Sequence, residues 1–148
     1  MEVQPDFREL LALLNAHSVE YMIVGGYALA FHGAPRFTGD LDVFVRPTTQ
    51  NARRILAALS DFGFGSLNLG AEDFSTQDRV VQLGVPPVRV DLITSLSGVS
   101  WETCWASRQP GAYGDVPVAF IGREQFIANK RAVGRTKDLA DLEALGEA

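Results

Sequence analysis

GGYALAFHGAPRFTGDLDVFV, residues 25–45, is the stretch from which the fold is read. An apolar run, Tyr21 to Val24, leads into the paired glycines Gly25 and Gly26. Two successive residues without a Cβ let backbone N–H groups approach an anion such as a phosphate, although such a pair also makes a simple turn. Tyr27 to about His32 reads as a short helix closed by Pro35. If it begins at the glycines, its positive end faces a bound triphosphate. Asp40-Leu41-Asp42-Val43-Phe44-Val45 then alternates as a half-buried strand does. Side chains two apart share a strand face, so Asp40 and Asp42 point one way while Leu41, Val43 and Val45 point into the core. Thr38 and Gly39 set the turn that delivers Asp40. Arg36, four residues earlier, is placed to reach a phosphate or one of the acids. Two adjacent carboxylates repel unless a cation stands between them, and Mg²⁺ or Mn²⁺ meets that need with oxygen ligands.

A third acid has the same setting. Val88-Arg89-Val90-Asp91-Leu92-Ile93-Thr94 is a β-prone run interrupted by one carboxylate at its centre. If this strand lies beside the first, Asp91 joins Asp40 and Asp42. Three carboxylates on neighbouring strands can hold two divalent ions about 3.5–4 Å apart, an arrangement suited to in-line phosphoryl or nucleotidyl transfer. Taken alone, a D-x-D more often marks a turn or a solvated face. In this order and spacing the pieces are more specific.

The combination GG…GDLD…VDLI resembles the DNA polymerase β-like nucleotidyltransferase superfamily, with its Gly-rich helix start, D-x-D and later third Asp. RFTGDLD at 36–42 and KRAVGRTKDLAD at 130–141 make the chain similar to the small bacterial nucleotidyltransferases related to the AbiEii- and AbiGii-type toxins. The resemblance runs over about residues 5 to 145. It implies that Asp40, Asp42 and Asp91 are metal ligands and that Lys130, Lys137 and Asp138 lie near the active site, with Arg135 and Asp141 as companions. Lys130 would contact the triphosphate and Asp138 would orient a lysine. The superfamily often has Gly-Ser where this chain has Gly25-Gly26, so a serine contact to phosphate is missing.

With 148 residues, the chain has room for one domain and one proper core. Thirteen Lys and Arg against eighteen Asp and Glu give a net charge of −5, which disfavours broad nucleic-acid coating. A local basic cluster nevertheless spans Arg123, Lys130, Arg131, Arg135 and Lys137. A single cysteine, Cys104, excludes an internal disulfide framework and reads as a buried filler. No run is long and apolar enough for a membrane span and no leader pattern opens the chain, so a cytoplasmic protein is expected.

Along the chain, Pro5 to about Ser18 reads as a helix and Tyr21 to Val24 as a strand. Thr48 to about Phe62 is a helix capped by Thr48 or Thr49, and Gly63 to Thr76 is irregular. Arg79 to Leu83 and Val88 to Thr94 form an antiparallel pair across a short link. Gly98 to Arg108 is a helix whose two tryptophans pack inward, residues 110–115 make a turn, and Val116 to Ile121 is an edge strand because of Pro117. Arg123 to Val133 and Thr136 to Leu145 are helices, with Thr136 as N-cap of the second. Lys137 and Asp141 have the spacing of a surface ion pair. His32 reads as a helix cap. The expected architecture is α+β, a mixed sheet with helices mainly on one face. The absence of G-x-G-x-x-G after the first strand, and of a lysine following the glycines at Walker spacing, excludes Rossmann and P-loop sites.

The resulting expectation is transfer of a nucleotide from an NTP to a hydroxyl on a small molecule or a tRNA, with Asp91 as metal ligand or general base. The competing expectations are a silent member that binds a protein partner such as an antitoxin, and a metal-dependent phosphohydrolase.

Overall fold

Tyr21–Val24 is buried at every position and forms an interior strand, β1. It pairs antiparallel with Asp40–Val45, β2, from Tyr21↔Val45 to Val24↔Asp42. Val80–Val85 (β3), Val88–Ile93 (β4), Gln109–Tyr113 (β5) and Val116–Phe120 (β6) complete a mixed sheet in the order β3-β4-β2-β1-β6-β5. The computed structural model describes residues 3–35, 38–65, 68–85 and 87–147. The helices are Pro5–Ala16 (α1), Gly25–Phe31 (α2), Thr49–Leu59 (α3), Glu72–Ser75 (α4), Trp101–Ala106 (α5), Arg123–Val133 (α6) and Thr136–Ala144 (α7).

The alternation in β2 does what its sequence requires. Leu41, Val43 and Val45 are buried, as are Val90 and Leu92 of the parallel neighbour β4. The helices α1 and α3 pack together and contribute Phe7, Leu10, Leu11, Leu14, Ile55 and Leu59 to the same core. Tyr27 links two layers, with its ring edge-on to Phe7 at 6.1 Å and to Tyr113 at 5.6 Å. The Tyr113 hydroxyl accepts the Gln4 N–H at 2.8 Å, fastening the start of α1 to β5.

Several expectations are corrected. Residues 110–115 are not simply a turn, because Gln109–Tyr113 forms β5 and pairs with β6 from Gln109↔Phe120 to Tyr113↔Val116. β6 is therefore interior and β5 is the edge. Pro117 is tolerated there because β6 meets β1 only at Ile23↔Phe120, so no ladder bond is demanded of the proline on that side. Residues 63–76 contain α4, and α3 runs on into a π-helical turn, Ser60–Phe64, that ends around Gly63 at φ +104°. α5 is shorter than expected, since Ser100 caps it through the Thr103 N–H at 3.1 Å. The N-cap of α7 is Arg135, not Thr136. Asp138, three residues into the helix, turns back to accept the Arg135 N–H at 3.1 Å.

Other readings hold. His32 is the C-cap of α2, and its Nε2 lies 2.7 Å from the Ile121 carbonyl. Trp101 is buried edge-on to Phe44 and stacks with Trp105 at 5.3 Å, so the pair packs the core margin. Cys104 is buried, and burial pushes its thiol up to about 11, far from a nucleophile's range. Among the described residues no helix is long and apolar enough to cross a membrane.

Candidate active site

The β2–β4 register decides where the acids meet. Asp42 stands opposite Asp91, and Asp40 opposite Arg89. On the other side of β2, Asp42 pairs with Val24, the last residue before the glycines. All three acids therefore share one sheet face and line one cleft of about 520 Å³ with Gly25. Lys130 and Val133 of α6, Arg135 and Lys137 at the start of α7, and residues 95–97 line it too.

Gly25 is required twice over. Its φ of +67° is a left-handed conformation, and a Cβ there would collide with the Asp42 carboxylate. Gly25→Ala is expected to lower unfolding stability by about 1–3 kcal/mol, measured by urea titration. A Cβ on Gly26 would lie 2.7 Å from the Thr38 hydroxyl, which itself bonds the Asp40 carbonyl at 3.3 Å. Thr38 thus fills the space that a side chain at residue 26 would take. Arg36 lies outside the described residues.

Asp42 carries the electrostatic signature of the cleft. Burial pushes its carboxyl up to about 6, with further upward pressure from Asp91 and Asp40. Lys130 and Lys137 pull it partly back. Asp91 accepts a two-pronged bond from Arg89, with Nε and Nη2 each 3.1 Å from a carboxylate oxygen. Arg89 Nε is also 3.8 Å from Asp40. The sequence reading did not single out Arg89. The signal was present, since residue 89 lies two before Asp91 and so on its face. It also missed Asn129, which lines the cleft and donates to the Ser97 carbonyl at 2.9 Å.

The lysine supplied by α6 is buried and held from α7. Lys130 Nζ lies 3.2 Å from Asp138 and 3.2 Å from Asp141. Asp141 is thus a buried partner of Lys130 rather than the surface partner of Lys137 that helical spacing suggested. Asp138 also takes Arg135 Nε at 2.7 Å. Burial works to raise the Asp138 carboxyl, but hydrogen bonds from Arg135 and Lys130 outweigh it and hold it near 2. Asp138 therefore supports the lysine from behind and does not itself line the cleft.

The fold matches solved structures over nearly the whole chain. A Thermotoga maritima protein assigned as a nucleotidyltransferase aligns with 99% of this chain and 97% of its own, at 15% identity and a TM-score of 0.63. The chain has a nucleotidyltransferase fold. The same fold is shared with the antibiotic-resistance factor ANT(2'')-Ia, at 14% identity and a TM-score of 0.62 over 95% of this chain and 80% of that one. It is shared as well with the lincosamide antibiotic adenylyltransferase LnuA in its lincomycin-bound form, at 12% identity and a TM-score of 0.59 over 97% and 96%. No protein-family model and no curated protein matches the sequence. Within a nucleotidyltransferase fold, the cleft between β2, β4 and α6 is the candidate site.

Proposed function

We propose that this chain transfers a nucleoside monophosphate from a nucleoside triphosphate to the hydroxyl of a small acceptor, with Mg²⁺ or Mn²⁺ as cofactor. The observation that carries this reading is the cleft itself. Asp40, Asp42 and Asp91 form one wall, and Lys130, Arg135 and Lys137 contribute to the other. A negative wall facing a positive one suits a polyphosphate that brings its own cation.

The donor set fits such a cation. Among the described residues no three acids, histidines or cysteines form a ready-made metal cage. The available oxygens are nevertheless all carboxylates, the Asp42 charge is left under-compensated, and the Arg89 guanidinium already stands in as a cation. Asp40 and Asp42 would hold the ion that meets the phosphates, and Asp91 would share it or accept the acceptor's proton. When bound, the cation offsets phosphate charge and acidifies the acceptor hydroxyl.

The chain's own groups do the rest. Lys130 and Lys137 meet the triphosphate, and the backbone at Gly25 and Gly26 lets it approach. Thr38 supplies the hydroxyl that the Gly-Gly pair lacks. The acceptor oxygen bonds to the α-phosphorus, the bond from that phosphorus to the bridging oxygen breaks, and pyrophosphate leaves.

A small acceptor is favoured by the state of the basic cluster. Arg123 and Arg131 both meet Glu147, Arg135 meets Asp138, and Lys130 is buried between two acids. Arg123 and Arg131, the two members outside the cleft, are both paired with Glu147, which leaves little charge beyond the cleft for a tRNA backbone. LnuA, an adenylyltransferase seen with lincomycin, has the same fold. Kinship with the toxin-like nucleotidyltransferases is a finer part of this proposal, supported by Lys130 and Lys137 at the cleft.

The test is incubation with each α-labelled NTP, Mg²⁺ and, in separate arms, a panel of hydroxylated small molecules and total tRNA. Label is expected on a small acceptor with release of pyrophosphate. Label on tRNA would replace the acceptor and keep the chemistry. Free nucleotide products with no labelled acceptor would indicate hydrolysis and sink the transfer reading.

A further inference from the structure

Arg89 stands where a metal-binding cleft should not have a fixed cation. Its guanidinium occupies both oxygens of Asp91, at 3.1 Å each, and reaches Asp40 at 3.8 Å. Asp91 cannot give the same oxygens to a divalent ion while this fork is closed. The fork is geometrically favourable, since planar guanidinium and carboxylate match in two parallel bonds, and the charge does not titrate away. It is also free to open. The Arg89 side chain keeps 32% of its exposure against 13% for Asp91, so it can swing toward solvent without disturbing the core.

We propose that Arg89 is a resident counter-ion that keeps Asp91 out of the metal site until the metal–nucleotide complex arrives. The triphosphate brings negative charge that competes for the guanidinium, and the freed carboxylate then turns to the incoming cation or the acceptor. Metal alone faces the closed fork, whereas metal with nucleotide opens it. The cleft is thereby held charge-balanced when empty, and free divalent ions do not load it fully. Arg89 acts through Asp91 and is a positioning residue. The inference rests on the metal-dependent reading of the cleft.

The test is Mn²⁺ binding to the nucleotide-free full chain, followed by loss of the free Mn²⁺ paramagnetic resonance signal. Arg89→Met is expected to bind Mn²⁺ about tenfold more tightly than the unaltered protein, the equivalent of removing one charge-assisted bond. Arg89→Lys, which keeps the charge but cannot fork, is expected to fall between them. Adding Asp91→Asn to Arg89→Met should erase the gain. If Arg89→Met does not fold, Arg89→Lys decides, and it must still bind more tightly than the unaltered chain. Equal or weaker Mn²⁺ binding by the arginine variants overturns the counter-ion role alone. No Mn²⁺ binding by any of the proteins at millimolar concentration overturns that role together with the metal-dependent reading.

Discussion

Asp42→Asn is expected to reduce nucleotide transfer by about a thousandfold, roughly 4 kcal/mol of transition-state stabilisation, while yielding a metal-free protein that melts higher at pH 7.5 than the unaltered chain. The two halves of this result have one cause. Asp42 is pushed up to about 6 by burial and by Asp91 and Asp40, against about 3.9 for an unfolded aspartate. An acid whose folded pKa is raised binds its proton more tightly in the native state. Its contribution is therefore most favourable at low pH and is lost as pH climbs from about 4 through about 6. Above that window the folded metal-free protein carries a carboxylate it would rather protonate. Asparagine removes that charge and the penalty with it, an expected gain of about 1–2 kcal/mol. The measurement is a melting series in EDTA from pH 4.5 to 8, read as the difference between the two proteins. A difference that is flat, or that favours the unaltered chain as pH rises, would show that Asp42 is not under electrostatic stress. Full activity in Asp42→Asn would remove the carboxylate from the chemistry altogether.

Lys130→Met is expected to cost about 3–5 kcal/mol of stability, a large share of what a domain of this size has. The methionine fills the volume but leaves two carboxylates facing a site without its ammonium. Asp138 is fully buried and Asp141 is 5% exposed. Asp138 keeps Arg135, and both carboxylates lose an ammonium 3.2 Å away. The second variant, Lys130→Met with Asp141→Asn, should recover part of the deficit, because the amide needs no counter-charge. Chemical unfolding of the four proteins in this cycle gives the coupling directly. Additive effects would mean that the 3.2 Å contacts carry no energy. The same cycle separates support from chemistry, since the double variant should fold and still lack the charge proposed to meet the phosphates.

Much of this site was readable in the chain. The D-x-D alternation placed Asp40 and Asp42 on one face because period-two strands leave little choice, and the third acid was marked by its interruption of a β-prone run. Elements whose local chemistry contradicts their tertiary role were not readable. Gln109–Tyr113 contains Pro110 and Gly111, which look like a turn, and it forms a strand only because β6 offers a ladder. A Cβ at residue 111 would lie 2.7 Å from the Phe120 ring, so the glycine serves that close contact. Asp141 follows the spacing of a solvated helix face, yet Lys130 draws it inward. Arg89 was legible only in part: strand period puts it on the face of Asp91, but its reach to Asp40 depends on the β2–β4 pairing.

The parallel pairing of β2 with β4 joins residues 40–44 to residues 89–93 across a long intervening stretch, and the lysine arrives from still later in the chain. No short fragment contains the pocket. Closing so large a loop comes late in folding, so partly folded forms of this molecule should lack nucleotide affinity even when their helices are formed. A ligand that recognises only the finished pocket would then act as a thermodynamic latch on the last step of assembly.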